Sequence, residues 1–386
     1  MSELPKYNIL YLHPVSKWIG GGETGLLDFL TNINRRKFEP VVIIPHKGPL
    51  FENLLNLNIK TYIMSFRRWE SFETRLTLAF KIFSLIKMLK KERINLIHAH
   101  SHETTPFAIL ASKFIKIPVI SHIRIQISRE KAKKYLVHHA DLVLTKSEWQ
   151  REEISNIAKS TVLKIGDGFD FKKYDDANSI EKKTAIRNKL GIKEDALILI
   201  SISRFEGRKN FELSLKAISS LKNKTIYLLL VGSKGDNNSY EEKVKRMIFD
   251  LDLHHNVKIM PFTNNVIDYL IVSDIFLQTS KKEGLSRAAI EAMFTGIPLI
   301  ATNIPGNQDL IIDDQNGFLI KMDDPKQLTE KILLFYENRE LIKKMGDAGR
   351  KIAIENFDIK KYNKRIEDIY LNFLEKKYSR YLNKEC

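Results

Sequence analysis

The feature that most limits what this chain can fold into is a succession of short, continuous apolar runs: "NILYL", "PVVIIP", "INLIHAH", "PVISH" and "DLVLT", then "ALILISI", "IYLLLVG", "VKIM", "DIFLQTS" and "IPLIAT". Runs that are apolar throughout, rather than alternating, belong to strands buried on both faces, as in parallel sheets. Helical patterns separate most of them, including 23–33 and 71–91. The reading is α/β, doubly wound, twice over. At a soft prior of ~150 residues per domain, 386 residues accommodate two domains with a core each. The polar stretch "FKKYDDANSIEKKTAIRNKLGIKEDA" lacks strand character and reads as a linker followed by a helix. It divides the chain into an N-terminal domain, 1–178, and a C-terminal domain, 179–359. Apolar residues at helical spacing (Tyr362, Ile366, Ile369, Tyr370, Phe373, Leu374) predict a closing helix within 360–386 that packs back on the first domain.

Several classes of protein are excluded early. With 43% hydrophobic and 28% charged residues the chain is globular rather than disordered. Its single cysteine, Cys386, allows neither an intrachain disulfide nor a cysteine-based zinc site, which fits a reducing compartment. The N-terminus has a five-residue apolar run before His13 and Pro14, too short for a signal-peptide core, and no stretch approaches ~18 apolar residues. The expectation is a cytoplasmic protein, peripheral on the inner face of the cell membrane if it meets one. The formal charge is +16, and residues 1–178 hold 28 Lys/Arg against 18 Asp/Glu, a net of +10. Such a half attracts nucleotides, nucleic acid or an acidic membrane surface. Nucleic acid is disfavoured, because no aromatic-flanked recognition motif or zinc framework accompanies the dispersed charge.

Four stretches carry chemistry. In "TSKKEGLSRAAIEAMFTGIPLIATNIPG", Glu283 and Glu291 lie eight residues apart at the start of a helix that Ser286 would cap and Gly296 would stop. Both follow the strand "DIFLQTS", where ligands bind in open α/β sheets. The plain alternative is an i,i+4 pair of Glu291 with Arg287. In "SRFEGRKNFE", Arg204 and Lys209 sit in a strand-to-helix loop, placed either to grip a diphosphate or simply as a solvated basic loop. In "WIGGGETG", Gly20, Gly21 and Gly22 open a helix and would let its backbone approach a phosphate, although a tight turn explains them as well. Histidines cluster at two strand ends, His98, His100 and His102 in "HAHSH" and His122 in "VISHIR"; a metal site is conceivable, but hydrogen-bonded or substrate-facing histidines are the commoner outcome.

Taken together these stretches resemble the retaining glycosyltransferases of family 4 (group 1). "EGLSRAAIEAM" resembles their E-x7-E signature, and the likeness runs from "GGGE" through "INLIHAH", "VISH", "SRFEGRKN" and "LLLVG" to "PGNQDLI" and "NGFLI". The resemblance implies the GT-B architecture, two Rossmann-like doubly wound domains facing across a cleft. It assigns Glu283 to hydroxyls of a donor sugar, Glu291 to the ribose, and Arg204 and Lys209 to the diphosphate. The backbone at Gly284, Leu285 and Ser286 and the loop at Gly21 and Gly22 would add amide donors, and His122 would stand beside the sugar's primary hydroxyl and the reacting centre. His100 is a further candidate on the acceptor side. Three positions depart from the family pattern: Asp167 where Asn is usual, Asn210 where Gly is common, and Pro261 at a common Gly position near the expected base pocket.

The implied activity is retaining, metal-independent transfer of a hexose from a nucleotide sugar, UDP-linked, to a glycan or lipid-linked acceptor. It places the protein in capsule, lipopolysaccharide or related polysaccharide biosynthesis, with no cofactor beyond the donor itself. An anionic membrane surface is the further partner implied by "RRWESFETRLTLAFKIFSLIKMLKKER", whose basic and apolar residues mix at helical spacing. A same-fold epimerase or phosphorylase, a basic nucleic-acid-binding protein and an inactive sugar-nucleotide binder are the rival readings.

Overall fold

In the computed structural model the described residues are 6–16, 20–66, 69, 72–174, 180–232, 239–261, 263 and 266–382. The linker at 175–179, Trp18, Ile19, Arg67, Arg68 and Cys386 lie outside them. The chain forms two compact units, Met1–Phe169 with Ile359–Cys386, and Asp170–Asp358. The break falls at Phe169/Asp170, whereas the sequence reading placed it after 178.

The first unit is built on seven strands, β1 (Tyr7–Leu12), β2 (Phe38–Ile44), β3 (Lys60–Ile63), β4 (Leu96–Ala99), β5 (Val119–Ile123), β6 (Leu142–Thr145) and β7 (Val162–Lys164). They lie in the order β3-β2-β1-β4-β5-β6-β7, and every pairing is parallel. The chain winds outward from β1 to β3 and then restarts on the other side at β4, so the switch point lies between β1 and β4. The second unit repeats the plan with β8 (Leu197–Ile202), β9 (Ile226–Val231), β10 (Val257–Met260), β11 (Ile275–Gln278), β12 (Leu299–Thr302) and β13 (Gly317–Ile320). Their order is β10-β9-β8-β11-β12-β13, with the switch point between β8 and β11.

Ten of the thirteen strands coincide with the apolar runs. The other three, β3, β7 and β13, each close a sheet at its edge. An edge strand is only partly covered, and β3 shows it, since Lys60 and Ile63 are exposed; such a strand has no need of a continuous apolar run.

The helix Ile359–Leu382 belongs to the first unit. Its Tyr362, Ile366, Tyr370 and Leu374 are buried in one core with Ile9, Tyr11, Phe29 and Phe38. The chain returns tightly at this point. Ile359 N–H donates to Phe169 O (2.9 Å), and a Cβ on Gly168 would stand 2.6 Å from Ile359 Cδ1 and 2.7 Å from Tyr362 Cδ1.

Candidate active site

In the second unit the loops that follow β8 and β11 are tied together at the switch point. Lys281 N–H donates to Arg208 O (2.8 Å), and Thr279 Oγ1 donates to Lys209 O (3.2 Å). Between them lies Glu283, a carboxylate only 9% exposed. Its Oε1 accepts from Ser280 Oγ (2.7 Å), from Gln278 Nε2 (2.8 Å) and from Lys209 Nζ, while Arg208 stands 3.7 Å from its other oxygen. Burial holds the Lys209 ammonium below the ordinary lysine range, against the upward pull of Glu283. The two residues are thus a desolvated ion pair fixed by neighbours, and a buried pair of this kind is worth little to stability unless its geometry is fully satisfied.

Ser286 caps the helix Arg287–Phe294, its Oγ accepting from Ala289 N–H (3.3 Å). The helix stops at Gly296, where φ is +75°. Gly284 and Leu285 therefore present backbone next to a helix N-terminus, where amide donors and the helix dipole favour an anion. The segment from Pro305 supports this loop from beneath: a Cβ on Gly306 would sit 2.1 Å from Gly284 O and 2.6 Å from Glu283 O. Thr302 Oγ1 also donates to Ser280 O (2.6 Å). Lys209, Glu283, Gly284, Leu285 and Ser286 are thus brought together. Arg204 stands at the same strand end but is exposed and paired with Glu206 (2.9 Å). Glu291 is half-buried on the second turn of the helix.

In the first unit, five strands carry an alternating pattern on the face covered by the helices Gly21–Asn32 and Ile359–Leu382. Reading toward the C-terminal rim, β1 continues Ile9, Tyr11, His13; β4 continues Leu96, His98, His100; β5 continues Ile120, His122, Arg124. On β6 the series is Leu142, Leu144, Lys146, and on β7 it is Leu163, Ile165, Asp167. Alternate residues of a strand face one way, so the last members form one row along the rim in sheet order. The row is hydrogen-bonded: His13 Nδ1 to His100 Nδ1 (3.0 Å), His100 Nε2 to Arg124 (3.0 Å), Arg124 to Asp167 (3.3 Å), and Lys146 to Asp167. At its near end His13 Nε2 meets Glu23 Oε1 (2.8 Å), and the other Glu23 oxygen accepts from Gly20 N–H (2.9 Å). The glycine-rich turn is thereby anchored to the sheet.

The end groups fix the direction of this row. Arg124 only donates and an ionised Glu23 only accepts. Burial pulls the Glu23 carboxyl up, but the hydrogen bond and charge of His13 and the amides at Gly20 and Glu23 outweigh it and hold it below its usual range. Hence His100 accepts at Nε2 and donates from Nδ1, and His13 donates from Nε2. Burial, then Arg124, keep His100 well below its ordinary pKa and so neutral. Both ring nitrogens of His100, the acceptor-side candidate, are thus engaged inside the protein.

A second row lies one layer deeper. Tyr370 Oη donates to Tyr11 Oη (3.2 Å), His98 Nδ1 meets Tyr370 Oη (2.6 Å), and His98 Nε2 meets His122 Nδ1 (3.3 Å). His122 Nε2 is buried without a partner among the described residues. His102 stands outside both rows, stacked edge-on against Tyr135 at 5.0 Å between ring centroids. Among the described residues no group of three or more His, Cys, Asp or Glu is arranged to hold a metal ion.

Sequence reasoning did not single out His13, Glu23, Arg124, Lys146 or Tyr370 for the site. For His13, Arg124 and Lys146 the signal was the i, i+2 continuation of an apolar run into a polar residue just past its end. Asp167, marked only as a departure from Asn, is explained by its partners: its carboxylate bonds two buried cations, which a neutral amide would leave uncompensated.

Two parallel, doubly wound sheets, each with polar side chains gathered at its C-terminal rim, define a Rossmann-like α/β protein, and comparison with known proteins gives the family. Residues 182–352 match the family described as glycosyl transferases group 1, and residues 19–166 match glycosyltransferase family 4. The chain belongs to the group 1, family 4 glycosyltransferases and has the GT-B fold. It is similar to the Escherichia coli UDP-Gal:alpha-D-GlcNAc-diphosphoundecaprenol alpha-1,3-galactosyltransferase, 24% identical over 77% of this chain and 80% of that protein. It is 27% identical to the capsular polysaccharide biosynthesis glycosyltransferase CapM of Staphylococcus aureus, over 57% of this chain and 58% of that one. Several other curated relatives are matched over about half of their own length. Among solved structures, Anabaena HepE with UDP superposes with a TM-score of 0.83 at 20% identity, covering 95% of this chain and all of that one. A glycosyltransferase from Rickettsia africae gives 0.85 at 23% identity, covering 96% and 99%.

Proposed function

We propose that this chain is a retaining glycosyltransferase that moves a hexose, without a metal ion, from a UDP-linked donor to a glycan or lipid-linked acceptor in cell-surface polysaccharide biosynthesis. The observation that carries the reading is the preorganised Glu283 carboxylate beside Lys209 and a capped helix N-terminus at the switch point of the second sheet. The donor assignment draws on relatives: one is named for a UDP-galactose donor and a diphosphoundecaprenol acceptor, and another was solved with UDP-glucose. Capsule and lipopolysaccharide synthesis are likewise named in relatives.

Cleaving a sugar to diphosphate bond builds negative charge on the departing oxygen. Lys209 and the amides of residues 284–286, with Arg204 at the same strand end, would stabilise that charge. Glu283, its carboxylate oriented by three donors, would hold hydroxyls of the sugar, and Glu291 the ribose hydroxyls. Retention would follow from attack on the face the diphosphate leaves, the acceptor hydroxyl giving its proton to the departing phosphate. No carboxylate is then needed as nucleophile, unlike retaining hydrolases with carboxyls ~5 Å apart. Proton NMR of a reaction run in EDTA tests this. The first product formed should keep the donor's anomeric configuration; an inverted product, or loss of turnover in EDTA, would overturn the retaining, metal-independent reading.

The reading includes an anionic membrane surface. No helix among the described residues is long and apolar enough to cross a membrane. The helix Phe72–Lys91 buries Ile82, Leu85, Met88 and Leu89. Its opposite face carries Phe80 (75% exposed) and Phe83 (67% exposed), followed by the exposed Lys87, Lys90 and Lys91. Apolar rings beside cations on one outward face suit an interface of acidic headgroups. Vesicles containing anionic lipid should bind the protein at low salt and release it as salt rises. Absence of binding even at low salt would remove the membrane from the account.

A further inference from the structure

All three hydrogen-bond donors to Glu283 fall on one of its oxygens. Ser280 Oγ (2.7 Å), Gln278 Nε2 (2.8 Å) and Lys209 Nζ each meet Oε1, whereas Oε2 has no hydrogen bond among the described residues and Arg208 stands 3.7 Å away. Gln278, the last residue of β11, is only 4% exposed. Its amide nitrogen carries two protons and uses both, one toward Glu283 and one toward Ser280 Oγ (3.0 Å). Its side-chain oxygen accepts from Ser286 Oγ (3.3 Å), which in turn accepts from Ala289 N–H (3.3 Å). The amide has one orientation only, because a carboxylate paired with Lys209 accepts and never donates, and a turned-over amide would set oxygen against oxygen. One directed chain thus runs from the first turn of the helix Arg287–Phe294, through Ser286 and Gln278, to Glu283 Oε1.

We propose that Gln278 is the positioning residue of the donor-sugar site, holding Oε1 so that Oε2 is the oxygen presented to a sugar hydroxyl. The inference rests on the reading of Glu283 as the sugar-binding carboxylate and deepens it by naming the group that aims it. Lys209 reaches Glu283 on a flexible four-carbon stem, and Ser280 through a rotating hydroxyl, so neither fixes the plane of the carboxylate. A flat amide bonded at both ends does. The same chain starts at the cap of the helix whose first amides lie beside Gly284 and Leu285, so those amides and Oε2 keep one spacing, and the sugar meets a site already ordered.

The test uses the full chain and two variants of similar shape, Gln278→Leu and Gln278→Glu. Affinities for UDP, UDP-glucose and UDP-galactose are measured by calorimetry from about pH 6.5 to about 9, a range in which paired carboxylates titrate. In Gln278→Leu the UDP affinity should match that of the wild type, and the affinity for the better-bound sugar conjugate should fall roughly tenfold, the loss of one well-aimed hydrogen bond to a charge. In Gln278→Glu two carboxylates meet beside Lys209 and Arg208, and such a pair holds one proton between its members with a raised pKa. Protonated, the new group donates to Glu283 as the amide does; ionised, it repels it. Sugar affinity should therefore be close to wild type at the acid end and fall to that of Gln278→Leu at the alkaline end, a recovery that a merely structural role would not give. Thermal unfolding supplies an arm that needs no ligand. A carboxyl whose pKa is raised in the fold above its unfolded value of about 4.3 loses stability as pH rises, so the deficit of Gln278→Glu against the wild type should grow over the same range. Sugar affinity that is unchanged in Gln278→Leu, or lost there together with UDP affinity, overturns the proposal, as does a Gln278→Glu variant indifferent to pH. Failure of UDP to bind the wild type would refute the donor reading instead, and the unfolding series would still show whether Gln278 bears on Glu283.

Discussion

Between pH 6.5 and about 4 the unit built on the seven-stranded sheet is expected to lose its stability while the other unit keeps most of its own. Four histidines, His98, His100, His102 and His122, are buried there. Burial lowers each of them, Arg124 adds to the effect on three and Lys131 on His102, and His98 and His102 fall to about 3. The unfolded chain takes up protons at these residues near pH 6.5, and the folded unit does not. Stability is therefore full above the unfolded value and falls as pH drops toward the folded values, because the unfolded state binds more protons in that window. Each such histidine contributes a slope of up to about 1.4 kcal/mol per pH unit. Four acting together approach about 5, and half of that would exhaust a domain stability of about 5–15 kcal/mol within a few pH units. Glu23, lowered in the fold, adds to the loss at the acid end. His254 and His255 of the second unit are exposed. All three tryptophans, Trp18, Trp69 and Trp149, fall in the first unit, so urea unfolding followed by tryptophan fluorescence isolates it. Its midpoint should fall steeply from pH 7 to 5; a midpoint unchanged over that range would show that the histidines are not neutral and buried as described.

Replacing Lys209 by Met is expected to reduce kcat by about 10²–10³, the cost of removing one preorganised charge from a developing anion. The ammonium is held beside Glu283 in a nearly dry position, so it needs no reorganisation as the bond breaks. Most of the effect should fall on kcat, because charge on the leaving oxygen grows only in the transition state. The fold should survive, since Glu283 keeps Ser280 and Gln278 as donors and Arg208 at 3.7 Å. Steady-state kinetics with the donor saturating would check it. A variant with full kcat and only a raised donor KM would mean that Lys209 binds the ground state alone.

Much of this was legible in the sequence, for definite reasons. The central strands are buried on both faces, so "NILYL" or "IYLLLVG" could be read as strands directly, and the Ser286 cap and Gly296 stop mark the helix after Glu283. The edge strand β3 escaped because half-covered residues such as Lys60 in "KTYI" need no apolar run. The rim row escaped because its members are the ends of five strands spread from His13 to Asp167, and their hydrogen bonds exist only once the strands lie side by side. Tyr370 is 272 residues from His98, and its apolar spacing announced a packed helix but not a hydroxyl aimed at a histidine. Glu23 was hidden by its neighbours, since three glycines drew attention to backbone approach and away from the carboxylate that holds the turn in place.

The central claim is that Glu283 and Glu291 serve a nucleotide-sugar site on the second sheet, and thermal stabilisation tests it most directly. UDP, GDP and ADP and their common sugar conjugates would be added in EDTA to the wild type and to Glu291→Ala. A ligand at ~100 times its dissociation constant adds ~2.7 kcal/mol of stability. The account predicts that UDP and a UDP-sugar stabilise the wild type without metal and that Glu291→Ala abolishes the shift. Stabilisation by none of them, or an equal shift in the variant, would contradict it.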